Sequence, residues 1–240
     1  MRTHLLLPIL LAVPLLGTAQ TTTPDRNKAY MNTDADELNN VFTMRPAATG
    51  LIGSPFLGPS WLAATVQLVG NTNSTPTILR YDLYRQELRV RRPKADSVVV
   101  PLSRIKEFTL TVTGQRFVCY PPATLPADVG GGCGEVLADG PHLQLLKFRR
   151  KELAKQAAAT SSYSSNATVD VLHETTRYYL RWPADGHFTP LKLKRSSLEQ
   201  ALAGQPAALA ALKARKGSLS TEADLTAAVL AADPAIAAGR

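Results

Sequence analysis

The chain has 240 residues, 45% of them hydrophobic, and carries 27 Lys and Arg against 19 Asp and Glu, a formal net charge of +8. That length supports a substantial core, in one domain or one domain plus an appendage. Beyond the N-terminus no apolar run approaches the roughly 20 residues of a membrane-spanning helix, which excludes a later helical span.

The opening twenty residues, MRTHLLLPILLAVPLLGTAQ, have the three parts of a secretory signal. Arg2 charges the first part, Leu5 to Leu16 form an apolar stretch, and Gly17-Thr18-Ala19 offer small residues to a peptidase. The apolar stretch, interrupted by Pro8 and Pro14, is too short for an anchor, so cleavage near Ala19 is expected. No cysteine follows the cut to carry a lipid. The mature chain is therefore expected to be soluble and secreted or periplasmic. Loss of Arg2 leaves 26 Lys and Arg against 19 Asp and Glu, a net +7. A basic exported protein meets anionic polysaccharide, lipid headgroups or cell-wall polymers. Specific nucleic acid is the poorer expectation outside the cell, although the same charge would attract it without specificity.

Residues 20–50 read as a polar, flexible arm in which Asp34 or Asp36 could cap one helical turn. From about residue 51 the period changes to two. Val66 and Leu68 share a face; Leu79, Tyr81 and Leu83 alternate with Arg80 and Asp82; Leu88 and Val90 alternate with Arg89 and Arg91. Phe108, Leu110 and Val112 continue the pattern, followed later by Val169 and Val171, by Tyr178, Leu180 and Trp182, and by Leu191 and Leu193. Each run is short and bounded by Asn, Gly, Pro or Asp, as half-buried antiparallel strands are. The prediction is a mainly β domain over residues 51–194, an antiparallel meander of about 8–10 strands closing into a barrel or folding as a sandwich.

Cys119 and Cys133 bracket the turn-rich segment YPPATLPADVGGG between two of these strands. In an oxidising compartment they are expected to form a structural disulfide, closing a loop of about 15 residues and stabilising the fold by roughly 3 kcal/mol. A metal pair or redox couple would need closer spacing or further ligands.

Residues 195–240 turn Ala-rich and helical. Ser196 or Ser197 is placed to cap SLEQALA, Pro206 opens PAALAALKARK, and Thr221 with Asp224 forms a capping box before DLTAAVLAA. Leu198, Leu202, Leu209, Leu212, Leu225 and Val229 form the expected buried stripe. Helices this short must pack on the sheet or on each other.

The most charged stretch, YDLYRQELRVRRPK, places Arg89 and Arg91 on the outward phase of a strand. A solvated strand face accounts for them without a ligand. Arg177, Arg181, Lys192 and Lys194 take the same phase of their strands, so neighbouring strands would assemble all six into a basic stripe suited to a polyanion. The run Lys147-Phe148-Arg149-Arg150-Lys151 reads as a strand or helix end entering water. His142, His173 and His187 lack metal-ligand spacing, Ser54 lacks the helix of a nucleophile elbow, and Gly130-Gly131-Gly132 lacks the helix of a phosphate cradle. No cofactor, metal or catalytic residue is assigned. Tyr81, Phe108, Phe117, Tyr178 and Trp182 could line a barrel that carries a small apolar ligand. A membrane barrel would require an apolar outer face instead of one bearing Arg and Lys.

The segments GSPFL, LRYDLYRQEL, EVLADG, LLKFRRKEL and RYYLRW, with the Leu-rich C-terminal helices, resemble a family of small secreted β-rich proteins of Bacteroidota with no known function. The likeness runs from about Gly53 to Asp233. It departs in the longer loop between Cys119 and Cys133 and in the Ala-rich C-terminus. It implies an exported or periplasmic bacterial setting and supplies no catalytic residues. The functional expectation is an exported non-enzymatic module that binds or scaffolds an anionic envelope component. A barrel carrier of a small apolar ligand, and a hydrolase or metalloenzyme of unrecognised type, are the alternatives.

Overall fold

The computed structural model describes residues 51–92, 96–157 and 168–238. The expected signal (1–19) and polar arm (20–50) lie outside the described residues. The described strands are β1 (Leu51–Ile52), β2 (Leu62–Leu68), β3 (Ser74–Asp82), β4 (Glu87–Arg91), β5 (Ser97–Val100) and β6 (Ile105–Leu110), then β7 (Arg116–Cys119), β8 (Cys133–Asp139), β9 (Gln144–Ala157), β10 (Thr168–Arg181) and β11 (Phe188–Leu191). They form one sheet in the order β1-β10-β9-β8-β7-β6-β2-β3-β4-β5, with β11 also paired to β10. Every pairing is antiparallel except that of β1 with β10. The sheet is open, so a closed barrel or a two-sheet sandwich gives way to a single open meander carrying three helices at its C-terminal end.

The first half is curled by its own connectivity. Strand β6 returns to pair with β2, four strand positions from β5, yet only Pro101–Arg104 joins β5 to β6. Four spacings of a flat sheet measure about 19 Å, and five extended peptide steps reach about 18 Å at most. Because Leu102–Arg104 is a tight helical turn instead of an extended link, β5 and β6 must lie closer than a flat sheet allows. Inside this curl lie Leu79, Leu83, Leu88, Ile105 and three rings. Phe108 and Phe117 stack with centroids 4.7 Å apart, and Tyr81 meets both edge-on at 5.7 and 6.2 Å. Strand β6 stops at Leu110, so Val112 falls in the following turn and is 86% exposed instead of sharing the inward phase of Phe108.

The second half is covered on both faces. On β9 and β10, Leu145 and Leu180 pack under the helices, whereas Leu146, Phe148 and Tyr179 pack under the loop that the disulfide closes. The Cys119–Cys133 bond links directly opposite residues of β7 and β8. Leu125 and Val129 of the loop between them join Phe148, Tyr179 and Phe188 in one buried cluster.

The helices are α1 (Arg195–Ala201), α2 (Pro206–Ala214) and α3 (Glu222–Ala238). The expected capping box opens α3: Asp224 N–H donates to Thr221 Oγ1 at 3.1 Å, and Thr221 N–H returns a bond to Asp224 Oδ2 at 3.3 Å. Helix α1 departs from expectation, because Ser196 and Ser197 lie inside it and Lys194 occupies the cap without a side-chain bond. Of the expected stripe, Leu198, Leu202, Leu212, Leu225 and Val229 are buried, while Leu209 is half-buried and Ala208 takes the inner position. Two polar anchors fix the helices. The Arg195 guanidinium donates to the carbonyls of Leu212, Arg215 and Gly217 at the end of α2. Asp233 of α3, 4% exposed, accepts the N–H groups of His142 and Leu143 at 2.9 and 2.6 Å. The β8–β9 turn approaches so closely that a Cβ on Gly140 would lie 2.3 Å from the Asp233 carboxyl carbon.

Candidate functional site: a basic cleft beside β11

The register of β10 with β11 sets Tyr178 opposite Leu191 and Tyr179 opposite Pro190. One step outward along each chain come Arg177 and Lys192. Together with Lys194 they line a cleft of about 640 Å³, where Thr176, Ser196 and Ser197 add hydroxyl groups. Lys192 N–H donates to Ser197 Oγ at 3.0 Å, which ties the end of β11 to α1. Lys192 and Lys194 are exposed, and Arg177 is half-buried.

Asp128, from the disulfide-closed loop, forms the edge of the cleft. Its carboxylate accepts the Tyr179 hydroxyl proton at 2.5 Å and lies 3.6 Å from Arg177 Nε, while its carbonyl accepts a second bond from Arg177. Burial, followed by the bond to Asp128, pushes the Tyr179 phenol above its ordinary pKa. Tyr179 is thus a fixed neutral donor that pins the loop. The cleft retains three cations against one carboxylate, an arrangement that attracts anionic groups and supplies hydroxyl donors to orient them.

Three of the six cations expected to form a stripe therefore meet here, and three do not. Arg181 shares its face of β10 with Arg177, but its guanidinium lies over the rings of Tyr120 (5.3 Å) and Phe188 (5.9 Å) and donates to Gln144 Oε1 at 2.9 Å. Strand β4, with Arg89 and Arg91, stands seven positions away from β10 in the sheet order. Arg91 is exposed, as its phase predicts. Arg89 is only 8% exposed, against the expectation of a solvated face. Its face is partly roofed by Phe56, whose ring lies 3.8 Å from the neighbouring Arg80 guanidinium. Burial pulls the Arg89 pKa down, opposed by the charges of Asp82 and Glu87. Asp82 beside it is fully buried, accepts N–H bonds from Tyr84 and Arg85, and is raised in pKa by burial.

The second basic run forms structural links instead of a solvated end. Lys147 Nζ lies 2.7 Å from Glu222 and 3.8 Å from Glu135, to which Arg149 also pairs at 2.5 Å. Lys151 Nζ donates to the carbonyls of Ser54 and Phe56. Tyr178 donates to Glu222 at 2.9 Å, and burial with that bond pushes its phenol up to about 12. Burial alone would raise Glu222, but bonds from Lys147 and Tyr178 outweigh it and hold the carboxylate below its ordinary value. Sequence reasoning missed this network and Asp128 because both depend on which strands and loops meet. The only available signal was the excess of polar residues at alternate positions of a strand otherwise rich in Leu and Phe.

Tyr81, Phe108 and Phe117 fill the curled half, while Tyr178 and Trp182 pack against the helical core. The five rings expected to line one cavity thus lie in two separate cores. Among the described residues, no three His, Cys, Asp or Glu side chains converge, and no helix is long and apolar enough to cross a membrane. Compared with family models, curated proteins and solved structures, the chain finds no match.

Proposed function

We propose that this chain is an exported, non-enzymatic binding module that holds an anionic component of the cell envelope in the cleft between β11, α1 and the disulfide-closed loop. The observation that carries the reading is the meeting of Arg177, Lys192 and Lys194 around a concave site with hydroxyls. A net positive chain concentrates anions near its surface, and a concave basic site focuses that field. The signal-like N-terminus and the resemblance to secreted β-rich proteins of Bacteroidota supply the setting of the proposal. The carrier alternative gains no support from the packed rings.

The test uses the mature chain on immobilised polygalacturonate under a salt gradient. Lys192→Glu/Lys194→Glu replaces two exposed side chains and is expected to elute at clearly lower salt than wild type. Arg91→Glu, with its single charge reversal on a distant strand, should move elution much less. Equal retention of the double variant and wild type would overturn the proposal.

A further inference from the structure

The basic cleft does not end at Asp128. A second cleft of about 550 Å³ is lined by Thr124, Leu125 and Pro126 on one side and by Asp185, His187 and Phe188 on the other. Both clefts use the same two walls. The disulfide-closed loop supplies residues 124–126 to one and Asp128 to the other, and the β10–β11 turn and β11 supply residues 185–188 and 190–192. The walls are held together between the clefts, where Leu125 and Val129 pack with Phe188 and Tyr179 and where Tyr179 holds Asp128. From Phe188 to Lys192 the strand advances about 13 Å at roughly 3.3 Å per residue. The two clefts are therefore consecutive stations along one seam.

The stations differ in charge. One end presents Arg177, Lys192 and Lys194; the other presents Thr124, His187 and the Asp185 carboxylate, whose Oδ1 accepts the His187 N–H at 2.9 Å. A polymer bearing a phosphate on every unit would set one of its charges against Asp185. Nucleic acid would also want stacking faces, whereas the Tyr179 ring is buried in the cluster beneath the loop. A flat lipid surface cannot enter a seam between two walls. A polysaccharide with spaced carboxylates and abundant hydroxyls meets both stations. Resting on the basic-cleft reading above, we infer that the seam is an extended site for an acidic polysaccharide, with a carboxylate at Arg177, Lys192 and Lys194 and neutral, hydroxyl-bearing sugar at His187 and Thr124.

Calorimetric titration of the intact mature chain with the glucuronate monomer and with di-, tetra- and hexasaccharides in which glucuronate alternates with neutral N-acetylglucosamine tests this. Affinity should rise from monomer to tetramer on the order of tenfold or more, because the second station binds within an already tethered ligand. His187→Ala keeps the backbone N–H that bonds Asp185 and should abolish most of the gain with length. Length-independent binding would overturn the extended site while leaving the basic-cleft reading intact. Absence of binding at every length would sink both. Tighter binding of a single-stranded DNA oligomer or of phosphatidylglycerol vesicles at equal salt would overturn the choice of polysaccharide.

Discussion

The two halves of the sheet place their cations in opposite circumstances. In the curled half, β2 to β6, the rings of Tyr81, Phe108 and Phe117 fill one side, and the other carries Arg80 against the Phe56 ring, Arg89 buried beside Asp82, and Arg91 exposed. In the second half, β7 to β11, helices cover one face and the disulfide-closed loop covers the other. There the cations acquire particular neighbours: Arg149 and Lys147 meet Glu135 and Glu222, Arg181 meets Tyr120, and Arg177 meets Asp128. The curled half scatters its cations, one on a ring, one buried and one in solvent. A sheet sandwiched between other elements concentrates charge at the seams between layers, and that is where the candidate site lies.

The comparison can be broken most forcefully in the curled half. Phe108→Ala removes a stacked ring from its centre and should cost about 3–5 kcal/mol in denaturant unfolding, because the cavity it leaves cannot collapse fully. In the second half, replacing both cysteines with alanine should cost roughly 3 kcal/mol in the chain-entropy model. It should also weaken acidic-oligosaccharide binding more than helical circular dichroism, since the loop is a wall of the seam and the helices lie on the opposite face. Next in size, Asp233→Ala leaves the His142 and Leu143 amides without their acceptor and should lower stability by about 1–3 kcal/mol. A smaller effect is expected from pH. Glu222 has a lowered folded pKa, so its contribution is present above the unfolded value of about 4.3 and is lost as pH falls through the folded value. The melting-temperature gap between wild type and Glu222→Gln should therefore be open at pH 6 and close toward pH 3. Smallest of all, Val112→Ser at an exposed turn should change stability by about 0.5 kcal/mol or less.

Much of the fold was legible in the residues because alternation reports which side chains share a face. Leu79, Tyr81 and Leu88 were placed correctly on that signal, as were the Thr221–Asp224 cap and the pairing of Cys119 with Cys133. Alternation does not report what covers the other face. Arg89 and Tyr179 both sit on the phase opposite the expected core, yet Arg89 is 8% and Tyr179 1% exposed, because a loop distant in sequence or along the chain lies near each. The candidate site was half legible for the same reason. Arg177, Lys192 and Lys194 could be named from phase and charge, but their meeting depends on β11 folding back on β10. The separation of Arg89 and Arg91 from them depends on a strand order that no local pattern encodes. Asp128, in a Pro- and Gly-rich loop, carried no periodic signal at all.

The most direct test of the central claim is an amide chemical-shift titration of the labelled mature chain, at fixed salt, with a tetrasaccharide in which glucuronate alternates with neutral N-acetylglucosamine. Perturbations confined to residues 124–128, 175–179 and 185–197 are expected. Shifts centred on residues 78–92 of the curled half, or none at saturating sugar, would contradict the assignment of anion binding to the β11 seam.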